Sequence, residues 1–224
     1  MAGNPISLVD PDGRVVKPSG ETEEQRQASL QMIINTLTAD DAKFVQIDTD
    51  GNIDKALINL AKSESGNFNS LKDMVNSDAI LEVYLAESYD YVNGEGEPGT
   101  SEMPYIPADE YSEPDTEGNT MSGTSTGESG FLGKTLFPDK NGPQNSPDGA
   151  IKVIVNKNLS EPARAEMYSH EGNGHAYIYM MNGGGAEARE RASHQSIGMK
   201  ETNINLKEQI IKSKKETIQN RQKK

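Results

Sequence analysis

Hydrophobic residues along this chain alternate between helical spacing and short β-branched runs, with Gly, Pro, Asn and Asp marking the changes. From Glu21 to Thr38, acidic residues lead into Ala28, Met32 and Leu37 among apolar positions at helical spacing, which predicts a helix. Ala42–Ile47 reads as a strand, and Asp50-Gly51 as the turn of a hairpin. Helices are expected near Ile53–Ser63 and Ser70–Asn76, and a strand near Ile80–Leu85. Ala150-Ile151-Lys152-Val153-Ile154-Val155 is a clear β-branched strand. Leu159-Ser160-Glu161-Pro162 then opens a helix, with Ser160 as N-cap and Glu161 and Pro162 in its first turn. That helix is expected to reach about Met181 and break at Asn182–Gly185. A second follows over roughly Ala186–Gly198, and a basic one, 203–224, closes the chain. The fold class is α+β: a small sheet, a long helix, and a following antiparallel helix.

Glu95–Gly149 is rich in Gly, Pro, Ser, Thr and acids, and is expected as a long acidic irregular loop. Asp48–Asp54 has Asp at alternate positions, but its Gly sits fourth and its twelfth residue is Asn59, so a calcium loop is excluded in favour of the hairpin turn. An apolar share of 33%, with no Trp and four Phe, implies a modest core. A mean hydropathy of −0.73 and the lack of any long apolar run exclude a membrane-spanning helix. The first residues have neither a basic nor an apolar region of the secretory kind, so no signal peptide is expected. With no cysteine there are no disulfides, and any metal site must use His and carboxylate ligands.

The net charge of −13 is unevenly placed. Residues 73–133 hold fourteen acidic side chains and no Lys or Arg, whereas the last twenty residues hold seven basic and two acidic ones. The acidic body repels phosphate backbones, which argues against a nucleic-acid partner. The basic tail reads as a solvated helix.

The chemistry concentrates in His170-Glu171-Gly172-Asn173-Gly174-His175 and in His194, which together hold all three histidines within 25 residues. Neutral imidazoles are the commonest ligands of catalytic zinc, and a carboxylate beside the first can act as general base. On a regular helix, however, five residues place two side chains about 140° apart, too far to share one ion. A π turn absorbs the extra residue, and Gly172 and Gly174 make that distortion cheap. If the two helices pack antiparallel about residue 183, the first two histidines face Ser193 and His194. His194 is therefore the expected third ligand, with Glu190 and Glu187 as alternatives on the same face.

Two resemblances extend this reading. Gly3-Asn4-Pro5-Ile6-Ser7-Leu8-Val9-Asp10-Pro11-Asp12-Gly13-Arg14 resembles the closing motif of the Rhs/YD-repeat-associated core, which precedes a variable C-terminal toxin. It implies a leader over 1–19 and a toxin domain over 20–224, carried by a larger secreted protein and acting inside or on a target cell. A cognate immunity protein is the implied partner. A strand feeding a His-Glu helix, then a turn and a helix with a third ligand, resembles the zincin metallopeptidase core. The H-E-x-x-x-H spacing is similar to that of the dipeptidyl peptidase III family.

The zincin resemblance implies a Zn²⁺ peptidase with Glu171 as base and a peptide or protein substrate. Tyr168, Tyr177 and Tyr179 are candidate oxyanion donors, with core packing the simpler role for each. The alternatives are a metal-dependent nuclease toxin and a non-enzymatic module stapled by a structural metal. Plasmid or RNA degradation tests the first, and a Glu171→Gln variant with undiminished biological effect would favour the second.

Overall fold

The computed structural model describes residues 15–103, 132–194 and 200–223. Its framework is a four-stranded sheet in the spatial order β1 (Val15–Pro18), β2 (Ile80–Ala86), β6 (Ile151–Asn156), β5 (Gly133–Leu136). The first three strands run parallel, with Val16 beside Leu81 and Leu81 beside Ile151; β5 is antiparallel, with Thr135 opposite Val153. Parallel neighbours need a crossover. Between β1 and β2 the crossover contains α1 (Glu23–Ile34), α2 (Ala39–Ala42), α3 (Lys55–Leu60) and α4 (Gly66–Asn76). Local chemistry starts these helices: Thr22 and Gln25 form a reciprocal capping box on α1, and Ser65 caps α4 by accepting from the Phe68 amide.

Side-chain alternation on β6 divides the core. Val153 and Val155 join Leu30, Ile33, Phe68, Leu71 and Tyr168 in the main cluster. Ile154 points the other way, to Tyr89, Met103 and Leu136. That second cluster is closed by the hairpin of β3 (Ser88–Val92) and β4 (Pro98–Glu102). A strand buried on both faces reads as a continuous apolar run, which is why β6 stands out in the sequence.

From β6 the chain enters one interrupted helix: α5 (Glu161–His170), a π turn (Glu171–Ala176) and α6 (Tyr177–Met181). Gly183, Gly184 and Gly185 then take φ of +77°, +74° and +80°, a left-handed run that side chains resist. It reverses the chain into α7 (Gly185–Arg191), which leads to His194. The closing helix α8 (Lys200–Gln222) packs against α5, the π turn and α4.

Several sequence expectations change. Ala42–Ile47 is not a strand: Thr38 caps α2 there, and Ile47 makes only an isolated bridge to Ile53. The turn between them holds, since Asp48 Oδ1 accepts from the Asp50 and Asn52 amides. The 95–149 loop contains β4 and β5, whose strands are made by pairing and not by β-branched composition. Within the expected leader, Val15–Pro18 is a sheet strand and Val16 is fully buried.

The tail is docked, not solvated, with Leu206, Ile210, Ser213, Lys214, Thr217 and Asn220 buried. The second helix is shorter than expected, ending at Arg191. The Rhs-like stretch Gly3–Arg14, residues 104–131 of the acidic loop and residues 195–199 lie outside the described residues. The α+β class stands, with small sheets and helices in the expected order.

Candidate metal centre

The expected distortion between His170 and His175 is present as a π turn over Glu171–Ala176. The Tyr177 N–H reaches back five residues to the Gly172 carbonyl, the hydrogen bond that defines such a turn. The glycines serve it differently from expectation. Neither Gly172 nor Gly174 is among the glycines with left-handed φ. What they supply is proximity: a Cβ on Gly172 would stand 2.5 Å from the Tyr168 ring, and one on Gly174 2.5 Å from Ile210 Cγ1. The turn is packed on both sides, so only hydrogen fits.

With the fifth residue brought back over the first, the three imidazoles meet. Nε2 of His175 lies 3.2 Å from Nε2 of His170 and 3.1 Å from that of His194, and the His170–His194 separation is 3.2 Å. Three nitrogens bound tetrahedrally to zinc at its usual bond length are about 3.3 Å apart. The triangle therefore has the size of a three-histidine metal tripod. These histidines form the one group of three or more His and acidic residues of metal-binding closeness among the described residues.

His175 shows why a cation suits this triangle. Its Nδ1 lies 2.5 Å from the Ala192 carbonyl, which can only accept, so Nδ1 carries the proton. Nε2 of the neutral ring is then a bare lone pair, aimed at two other ring nitrogens. Burial, above all, lowers the pKa of His175 to about 4. Burial and the neighbouring imidazoles also lower those of His170 and His194, with Lys214 adding to the effect at His170. The neutral form that binds metal is thus the favoured form of each ring.

No family model matches this chain, nor does any curated protein or solved structure. The chemistry of the site rests on its own geometry.

Glu171 is buried beside the tripod. The Thr135 hydroxyl donates to its Oε2 at 2.8 Å, and its main-chain carbonyl lies 3.1 Å from the same hydroxyl. Burial raises the Glu171 pKa above the ordinary carboxylate value, opposed by the Thr135 hydrogen bond and by the charges of Lys134 and His194. Gly133 lets β5 approach this closely, since a Cβ there would lie 2.6 Å from Met167 and 2.8 Å from Glu171 Cγ. A buried carboxyl held by one hydroxyl, next to three neutral imidazoles, is suited to exchanging a proton with a bound substrate or water.

Of the other expected residues, Glu187 pairs with Arg191 at 2.9 Å on the exposed side of α7, and neither it nor Glu190 belongs to the histidine cluster. Tyr168 is fully buried in the main core, its hydroxyl without a hydrogen-bond partner and its pKa raised by burial. Tyr177 donates to Asp73 at 3.3 Å, while Tyr179 accepts from the Gly185 amide at 3.0 Å and stacks on Phe137. These are packing contacts and structural hydrogen bonds.

Sequence reasoning missed Thr135, Gly133, the Ala192 carbonyl and Arg189. Arg189 ties α7 to the segment after β5, reaching Asp139 at 3.0 Å and the Gln144 carbonyl at 2.9 Å. Only the Gly133-Lys134-Thr135 interruption of the acidic stretch could have drawn attention to β5. Its relation to Glu171, 36 residues later, is purely tertiary.

Proposed function

We propose that this chain is a zinc-dependent metallopeptidase of zincin-like architecture, serving as the C-terminal toxin of a larger Rhs-type secreted protein. The observation that carries the enzymatic part is the tripod: three Nε2 atoms within 3.2 Å of one another, joined across a π turn to a buried glutamate. The strand-to-helix entry from β6 into α5 supports the zincin likeness. The Gly3–Arg14 motif supports the toxin assignment, with a target cell as the site of action and an immunity protein as the partner.

His170, His175 and His194 would hold the ion. When bound, zinc polarises a carbonyl oxygen and lowers the pKa of water to about 7. Glu171 accepts the proton that the attacking water gives up and returns it to the leaving amine. Thr135 keeps one carboxylate oxygen engaged, so the side chain presents the other in a fixed orientation.

Metal analysis of the purified chain, with cleavage of a peptide library, tests the proposal. Glu171→Gln keeps size and most packing but cannot take the proton. It is expected to retain zinc while activity falls about 10²–10⁴-fold, the usual contribution of a positioned base. A Gln variant as active, or as toxic to expressing cells, as the parent would overturn the peptidase reading. Near-stoichiometric zinc in a His170→Ala/His175→Ala variant would overturn the site.

A further inference from the structure

A second group of side chains meets the π turn, from α8 and α4. Asn173, in the middle of the turn and wholly buried, donates from Nδ2 to Ser213 Oγ at 3.0 Å. Ser213 Oγ donates in turn to Asn67 Oδ1 at 2.7 Å. Asn67 Nδ2 lies within 3.1 Å of three acceptors: the Thr36 and Ser213 carbonyls and Thr217 Oγ1. Gln209 Nε2 reaches the main-chain carbonyl of Asn173 at 3.0 Å. Ile210 fills the space that a side chain on Gly174 would need.

A π turn competes with the regular helix of the same residues, in which His170 and His175 would diverge by about 140°. Contacts made only in the π form decide that competition. Here they come from outside the helix. Gln209 gives a partner to a carbonyl inside the turn, Ser213 holds the Asn173 amide, and Ile210 presses on Gly174. We infer that α8, through Gln209, Ile210 and Ser213, clamps the π turn and so sets the spacing of His170 and His175. None of these residues belongs to the histidine tripod; they are positioning residues for the metal centre. The inference rests on the metal reading of the preceding section.

The test uses the full chain, with cobalt(II) as a visible probe and zinc competition to rank affinities. Ser213→Ala and Gln209→Ala are each expected to weaken cobalt binding about 10–100-fold, the range typical of groups that orient metal ligands. Both should shift the visible spectrum. Ser213→Thr keeps the hydroxyl and should return affinity and spectrum toward the parent.

Asn220→Ala is the control. It removes another buried amide of α8, one bonded to the Thr36 carbonyl at 3.0 Å, and should cost stability while leaving cobalt affinity at the parent value. Should Ser213→Ala fail to fold, the half-buried Gln209 carries the test. Parent-like cobalt binding in the folded Ser213 and Gln209 variants overturns the clamp, as does an equal loss in Asn220→Ala. A parent chain that binds no cobalt or zinc overturns the metal reading, and the clamp falls with it.

Discussion

The interrupted helix 161–181 is served by two neighbourhoods of opposite chemistry. Around His170, His175 and Glu171 stand groups that titrate or hold a proton: His194, Lys134 and the Thr135 hydroxyl. Around Asn173 stand neutral hydroxyls and amides from α8 and α4, all buried and bonded to one another. The first neighbourhood can change state when a ligand or proton arrives. The second consists of neutral groups, whose hydrogen bonds link the turn to α8 and α8 to α4. Under the proposed clamp, the neutral groups fix the chain that carries the histidines.

Substitutions can separate the two. The largest effect is expected at His194, the proposed third ligand. His194→Ala should lower zinc affinity by more than about 100-fold, the upper end of what loss of a supporting group costs. Glu190→Ala should leave affinity unchanged, as measured by competition with a chromophoric chelator. Loss at Glu190 with none at His194 would move the third ligand off the tripod.

Metal should also stabilise the fold. Zinc at 100 times its dissociation constant is expected to raise the free energy of unfolding by about 2.7 kcal/mol. Denaturation with and without a chelator checks this, and the His170→Ala/His175→Ala variant should lack the increment. A parent equally stable in both conditions would mean that the reactive neighbourhood holds no metal.

Next come the two close approaches at the turn. Gly172→Ala drives a methyl into the Tyr168 ring, and Gly174→Ala drives one into Ile210. Each is expected to cost about 1–3 kcal/mol, the usual range for overpacking. Adding Ile210→Ala should recover part of the loss at Gly174 and none at Gly172, because only the Gly174 methyl meets that side chain. Recovery at both sites would show that the turn yields as a unit.

The smallest effect is expected at Glu187. Its exposed pair with Arg191 spans i,i+4, so Glu187→Ala should change stability by about 0.3–0.5 kcal/mol, with zinc binding intact. A larger change in denaturant midpoint would give this residue a role beyond the surface.

The reactive neighbourhood was far more legible in the chain than the supporting one. Histidine is scarce and chemically specific, so His170, His175 and His194 declared themselves by spacing, and the spacing demanded a π turn. Reflection about residue 183 then favoured His194 over Glu190 and Glu187, and His194 is the residue that clusters with the other two histidines. Ser213, Asn67 and Gln209 gave no such signal, because neutral polar residues are ordinary on any solvated helix. The basic residues of α8 read as a water-facing tail for the same reason. Composition could not reveal that its Ser213, Thr217 and Asn220 face inward.

Residue type and local spacing account for the apolar run of β6, the three-glycine break and the five-residue histidine interval. They did not give the Thr22, Thr38 and Ser65 caps, local as these are, because Ser and Thr are common outside helix starts as well. Long-range packing settled the rest: the β1, β4 and β5 pairings, the Thr135 bond to Glu171, the Ala192 carbonyl on His175 and the docking of α8. A hydrogen bond between residues 36 or 40 positions apart leaves no periodic trace in sequence. It exists only because the sheet and helices first bring those segments together, and burial then makes an unpaired polar group costly.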